Sequence, residues 1–213
     1  MKKKRLIALL AILLLAAASY VLGWSTLFTV SSVEIKGTAN YLPITVKTGE
    51  KLARVEPRAV AAIYENYDFI RDAKVSRNWL TGKVTITITA RTPIAIYNNQ
   101  AIDELGKAFV IKGPMPASLP TIQAATADAA IAAVDFYSAL PQEIKSGMTV
   151  LKVRNTGAYV LEVNVGDRII EVRWGVPTDN ALKAKVYKAL LAQSENAKIK
   201  RMDLSAPHAP IVK

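Results

Sequence analysis

Apolar residues in this chain change their spacing in an ordered succession. From Leu6 to Phe28 they run without a charge, as LIALLAILLLAAASYVLGWSTLF. At helical rise that stretch covers about 34 Å, enough for a hydrocarbon core of roughly 30 Å. Residues 6–28 are therefore expected to form a transmembrane helix, with Tyr20 and Trp24 in the outer interfacial belt. Beyond it the pattern breaks into short periods. Val30 to Lys36 reads as a strand with Val33 and Ile35 on one face, closed by Gly37. Pro57 opens a helix whose Val60, Ile63, Tyr64 and Tyr67 recur at i, i+3, i+4 and i+7, which places Ile63 in the core. Val84 to Thr89 alternates strictly, a half-buried strand with threonines outward. A partner strand is expected over Ala73–Trp79, joined to it by a Thr81-Gly82 turn. The order is strand, helix, strand, strand.

Arg91-Thr92-Pro93 interrupts the pattern, because proline cannot donate to a central ladder. Past it, Ile94–Tyr97 and Ala101-Ile102 flank Asn98-Asn99-Gln100 as a hairpin, and Asp103–Gly106 makes a turn before Phe109, Val110 and Ile111. Gly113, Pro114, Pro116 and Pro120 mark an irregular connector. Ala124–Leu140 is an alanine-rich helix with Ile131, Val134 and Phe136 or Tyr137 for packing. Strands are expected at Met148–Arg154, Tyr159–Val165 and Arg168–Trp174. A helix capped by Thr178 or Asp179 then presents Leu182, Val186, Ala189 and Leu190 on one face. Ile199–Leu204 is the last strand expected. The class is α+β, with one N-terminal transmembrane helix, a small domain over 29–92, and a larger mixed β-sheet domain with flanking helices over 93–213.

Charge adds orientation. The formal net charge is +11. Residues 1–5 form a short tail in which Lys2, Lys3, Lys4 and Arg5 precede the apolar run, and no acid occurs before Glu34. The positive-inside bias holds this tail in the cytoplasm and sends the remainder outside. The alternative is a cleaved secretory signal ending at Ala16-Ala17-Ala18, but apolarity continues past the alanines through Phe28. Residues 145–213 carry 12 Lys/Arg against 6 Asp/Glu, so the last third is the basic part. Outside the cytoplasm such a face can meet acidic headgroups, anionic wall polymer or an acidic protein, or can simply be solvated.

Candidate chemistry is sparse. Without cysteine there is no disulfide framework, lipid attachment or thiolate metal site. His208, the single histidine, lies in a proline-flanked segment unsuited to a general base. Asp103-Glu104 reads as turn chemistry rather than as a glycosidase pair. A Ser/Lys hydrolase would need a serine and a desolvated lysine brought together by the fold, and no distinctive motif surrounds any serine. No cofactor or metal is expected.

Ordered motifs then carry a resemblance. V-x-x-V-E-I-K-G at 30–37 is followed by G-x-x-L-A-R-V-E-P at 49–57. Arg77-Asn78-Trp79 precedes the alternating strand. Next come A-R-T-P-I-A at 90–95 and Ala101-Ile102-Asp103-Glu104-Leu105-Gly106. Arg173-Trp174-Gly175 stands ahead of Lys183 and Lys185, and Met202-Asp203-Leu204-Ser205-Ala206-Pro207 comes last. In this order the chain resembles the FtsQ/DivIB family of bacterial cell-division proteins. The departures are a gap, 38–48, with little helical pattern where the family has a helix, Leu80 where it often has proline, and Ala90 where it often has glutamate. The resemblance implies a membrane-proximal POTRA domain over 29–92 and a C-terminal β domain over 93–213. It also implies a non-catalytic scaffold in the cell membrane at the division septum. Implied partners are coiled-coil single-pass division proteins of the FtsB/FtsL or DivIC type and the septal wall synthase complex. The implied partner site is the terminal strand, expected at a sheet edge: Ile199, Lys200, Arg201, Met202, Asp203 and Leu204, with Pro207, Ile211 and Val212. The alternative class is a membrane-anchored extracytoplasmic hydrolase or wall-polymer-binding protein.

Overall fold

A computed structural model describes residues 2–23, 27–111 and 116–213. It divides into two compact units, Met1–Arg91 and Thr92–Lys213. The first helix, α1 (Lys2–Gly23), has 22 residues. Its described apolar side chains run from Leu6 to Val21, about 24 Å at helical rise. Among the described residues no helix is long and apolar enough to cross a membrane. The expected helix over 6–28 is therefore corrected at its outer end. The described helix is Lys2–Gly23, and Leu27 and Phe28 are non-helical, with Phe28 at φ 57°. Trp24, expected in an interfacial belt, and Gly113 and Pro114 of the connector lie outside the described residues. So do the side chains of Lys2, Lys4 and Arg5.

The rest of the first unit holds β1 (Ser32–Lys36), α2 (Pro57–Glu65), β2 (Ile70–Arg77) and β3 (Lys83–Ala90). The sheet order is β1-β3-β2, with β1 parallel and β2 antiparallel to β3. Alternation in β3 buries Val84, Ile86 and Ile88, and α2 contributes Val60 and Tyr64 to the core. Proline at N1 suits the start of α2, because that N–H has no helical acceptor to lose. Ile63 is corrected: it is 44 % exposed, because nine helical residues cover the sheet with one narrow stripe, and Tyr64 occupies it. Residues 38–48 contain no helix. This irregular chain packs instead through buried Leu42 and Val46, while Tyr64 donates its hydroxyl hydrogen bond to the Pro43 carbonyl at 2.9 Å. Arg77 fixes the segment before α2 by donating to the carbonyls of Leu52 and Val55 at 2.9 and 2.8 Å.

The second unit is built on one sheet. Its strands are β4 (Pro93–Tyr97), β5 (Gln100–Asp103), β6 (Ala108–Phe109), β7 (Thr121–Gln123), β8 (Met148–Val153), β9 (Tyr159–Val165), β10 (Arg168–Gly175), β11 (Arg201–Asp203) and β12 (Ile211–Val212). Their spatial order is β12-β11-β10-β9-β8-β7-β4-β5-β6. The Asn98-Asn99 turn has φ of 47° and 62°, the left-handed pair that a two-residue hairpin between β4 and β5 requires. Helices α3 (Ala127–Ala139), α4 (Gln142–Lys145) and α5 (Asn180–Leu191) complete the unit.

Helix α3 begins at Thr126, whose side chain accepts from the Ala129 N–H, and buries Ala130, Ala133, Val134 and Phe136. Three small or branched residues let Phe136 reach the sheet, while Ile131 stays 40 % exposed. The expected face of α5 is also corrected. Lys183 and Tyr187 are its buried residues, and Ala189 is exposed. Val186 and Leu190 of the expected face do pack against the core, but its centre is taken by Lys183 and Tyr187, which hydrophobicity alone did not place there. Strands β7 and β12 and helix α4 escaped the sequence pattern, being two to four residues long and thus shorter than either period needs to declare itself.

Candidate functional site

The terminal strands of the second sheet form the candidate surface. Strand β10 turns Ile170, Val172 and Trp174 inward and leaves Ile169, Glu171 and Arg173 on the other face. Trp174 is fully buried, with its indole N–H donating to Asn180 Oδ1 at 2.8 Å. Phe136 meets its edge at 5.9 Å and stacks on Tyr159 at 4.1 Å. This aromatic trio ties α3 to the strands that carry β11. Gly175, at φ 75°, lets Ser205 approach: a Cβ there would lie 3.0 Å from the Ser205 Cα. The chain after β10 is held by Lys183, which donates to the Val176 carbonyl at 2.7 Å. Burial lowers the Lys183 pKa, and nearby Asp179 opposes the shift only in part.

Strand β11 runs parallel to β10 through Glu171↔Arg201, Val172↔Met202 and Arg173↔Asp203. On its other side β12 pairs antiparallel through Met202↔Val212 and Asp203↔Ile211. The expectation that 199–204 forms an edge strand is therefore corrected: β11 is internal, three residues long, and β12 is the edge. Met202 and Leu204 point into the core and Arg201 lies outside, but Ile199 is also buried, because it precedes the strand and escapes the alternation. Lys200 is exposed, and Pro207 sits in the turn closed by the Ala209 N–H to the Ala206 carbonyl. The Asp-Leu-Ser segment is local turn chemistry: Asp203 Oδ1 accepts from the Ser205 N–H at 3.0 Å and its hydroxyl at 2.7 Å.

Backbone direction at the edge follows from the bonds. Arg201 and Lys213 exchange both N–H···O bonds, at 3.0 Å each. In an antiparallel ladder the next pair along, Met202↔Val212, is then the non-bonded one. Val212 accordingly turns its N–H and C=O away from β11, while Met202 turns its own toward β10. Proline at Met202 would therefore break the sheet itself. On this edge strand Ile211 is 56 % exposed.

Charge on the outer face is organised by Glu171. Its carboxylate accepts from Arg201 Nε at 2.9 Å and Arg173 Nε at 3.1 Å. Burial pushes the Glu171 pKa up, but the Arg173 hydrogen bond and the Arg201 charge together outweigh it and leave the group below its ordinary value. The sequence placed Arg201 at the site but missed this Glu171 link; only strand pairing brings the two together.

Groups weighed for catalysis have other occupations. Asp103 is buried and accepts from the N–H groups of Leu105 and Lys107 at 3.0 and 2.9 Å. Lys183, desolvated as a Ser/Lys base would have to be, meets a carbonyl rather than a serine. His208 is exposed. Among the described residues no three His, Cys, Asp or Glu side chains converge on a metal position.

Residues 90–205, more than half of the chain, match the family model for the C-terminal domain of cell division protein FtsQ/DivIB. The protein belongs to the FtsQ/DivIB family. Its place is thus in cell division. The match takes in every strand from β4 through β11 and stops before β12. Of the expected partner residues, Ile199 to Leu204 fall inside it and Pro207, Ile211 and Val212 outside. The search of curated proteins found no match to this chain.

Proposed function

We propose that this FtsQ/DivIB protein is a non-catalytic scaffold that captures a partner strand at the open edge of its second sheet. The observation that carries the reading is the outward N–H and C=O of Val212, flanked by exposed Ile211. A sheet edge of this kind accepts an extended segment, with backbone bonds giving affinity and side chains giving selectivity. Glu171 pairs with Arg201 and Arg173 through its Oε1, whereas Lys200 is exposed beside the same edge. The partner segment is therefore apolar with an acidic flank, as on a coiled-coil single-pass division protein of the FtsB/FtsL or DivIC type. Through it the scaffold would join the septal wall synthase complex. The docking set is Arg201, Asp203, Ile211 and Val212, with Ile199, Met202 and Leu204 buried beneath it, Pro207 in the turn that leads to β12, and Lys200 supplying charge.

Anchoring belongs to the same reading. Helix α1 opens on the basic residues Lys2, Lys3, Lys4 and Arg5, and its backbone from Leu6 to Gly23 reaches about 27 Å. That falls a few ångströms short of a ~30 Å core, and apolar Leu27 and Phe28 continue the chain. A slightly short span is accommodated by local thinning at modest cost. The tail stays in the cytoplasm, and residues 29–92 are the POTRA domain, at the division septum.

The test is capture of a purified partner ectodomain by residues 29–213 carrying Val212→Pro. This removes the outward N–H and leaves the Arg201–Lys213 bonds. Capture should be lost with circular dichroism unchanged. Normal capture by the folded variant would exclude strand addition at β12. Protease applied outside spheroplasts of cells producing the full chain checks the topology: it should leave only a small membrane-protected fragment.

A further inference from the structure

The first unit carries an apolar tip whose outermost residue, Leu80, is almost wholly exposed. Between β2 and β3 the hairpin loop presents Leu80 at 95 % exposure, beside Trp79, more than a third exposed. Asn78 shapes this tip: its Oδ1 accepts from the N–H groups of Leu80 and Thr81 at 3.0 and 3.1 Å, and Gly82 closes the turn at φ 72°. The loop therefore holds Leu80 outward by design of its hydrogen bonds rather than by lack of order.

The same tip is fastened to the chain that leaves α1. Ser31 donates its N–H to the Gly82 carbonyl at 2.8 Å and its hydroxyl to the Thr81 carbonyl at 2.7 Å. The Phe28 ring meets the Trp79 ring edge-on at 6.1 Å, and the Arg77 guanidinium lies 5.2 Å over the other aromatic partner, Trp79. Phe28 is five residues beyond the last residue of α1, so no more than about 18 Å of chain separates them. Aromatic rings with an arginine beside them are the side chains that settle at a headgroup boundary, where one end is apolar and the other wet.

Resting on the anchoring reading above, we propose that the β2–β3 hairpin tip, Trp79-Leu80 with Phe28, is a second membrane contact that seats in the outer headgroup region beside the end of α1. The occupant is a lipid surface. If the hydrocarbon boundary falls just past Gly23, Leu27 and Phe28 lie at the interface, and the Ser31 and Phe28 contacts carry Leu80 to the same level. With this arrangement the first unit touches the bilayer at two points. The orientation of the first unit over the membrane is set by Leu80 together with the tether.

The absence of native cysteine makes the test direct. Full-length protein in phosphatidylcholine–phosphatidylglycerol vesicles is labelled with an environment-sensitive fluorophore at one introduced cysteine: Thr81→Cys, Ala11→Cys or Tyr41→Cys. Nitroxide lipids of shallow and deep position report depth. Expected are deep quenching at position 11, a blue shift with shallow quenching at 81, and none at Tyr41, which is 91 % exposed on the same unit. Adding Leu80→Glu to Thr81→Cys should return that label to a water-like spectrum. A water-exposed label at 81 with position 11 still deep overturns the hairpin contact and leaves the anchor standing. Equal quenching at 41 and 81, or no effect of Leu80→Glu, overturns it as well. A label at 11 that stays in water sinks the anchoring reading and the contact with it.

Discussion

Replacing Phe136 by alanine should destabilise the second unit by roughly 3–5 kcal/mol. Phe136 is buried on the sheet-facing side of α3, with Tyr159 stacked on it at 4.1 Å and 5° and Trp174 edge-on at 5.9 Å and 68°. A buried phenylalanine removes about 150–250 Å² from water, on the order of 4–6 kcal/mol at ~25 cal/mol per Å². That is an upper estimate, because the unfolded chain already shields part of the ring and alanine keeps the Cβ. Two lost aromatic contacts add about 0.5–1.5 kcal/mol each, and the flanking helix and sheet are too well tied by Trp174 and Thr126 to collapse fully onto the void. Urea unfolding of residues 29–213, followed by far-ultraviolet circular dichroism, measures the change as a lower midpoint at constant slope. Tyr159→Phe is the control. It keeps the stack and removes only a 3.3 Å hydroxyl bond to the Ala132 carbonyl, so it should cost under about 1 kcal/mol. A loss below about 1 kcal/mol for Phe136→Ala, or a larger loss for Tyr159→Phe, would refute the assignment of this trio as the link between α3 and β10.

Other consequences can be checked on the same protein. Ile63→Ala should cost less than about 1 kcal/mol because the side chain is half in water, whereas Tyr64→Ala should cost roughly 3–5 kcal/mol; paired urea curves decide it. For Lys183, burial lowers the folded pKa beneath its ordinary 10.5, so the unfolded chain binds the proton more tightly. Its contribution to stability should therefore rise with pH from the folded value toward 10.5, and Lys183→Met should remove that rise in a thermal-melting series from pH 8 upward. Glu171 behaves oppositely: its folded pKa lies below 4.5, so its contribution is present above that value and fades as pH falls through the folded one. Glu171→Gln should flatten the acid limb of the melting curve. Asn99→Gly should stabilise the β4–β5 hairpin by some tenths of a kcal/mol up to about 1, by relieving a left-handed residue, measured as a raised urea midpoint.

Local rules determined much of this protein. Strict alternation from Val84 to Thr89 fixed a strand and its buried face, because a period of two has only two sides. Pro57 fixed the start of α2, and paired asparagines fixed the hairpin after β4. The ordered motifs of the second half, from Arg91-Thr92-Pro93 to Asp203-Leu204-Ser205, identified the family. Where two or three residues form a strand, no period can be read, so β7 and β12 emerged only from their partners. Membership of the edge was likewise a tertiary fact: β11 looked like the open strand until β12 paired with it, which moved the free backbone from Met202 to Val212. Ile63 is half in water and Lys183 is buried for a related reason. Which face of a helix is buried depends on what the sheet and the loops leave uncovered, and hydrophobicity along the chain does not contain that. The charge link from Arg201 through Glu171 to Arg173, and the fastening of Leu80's loop to Ser31, join residues far apart in sequence. Only the folded chain brings them within reach of one hydrogen bond.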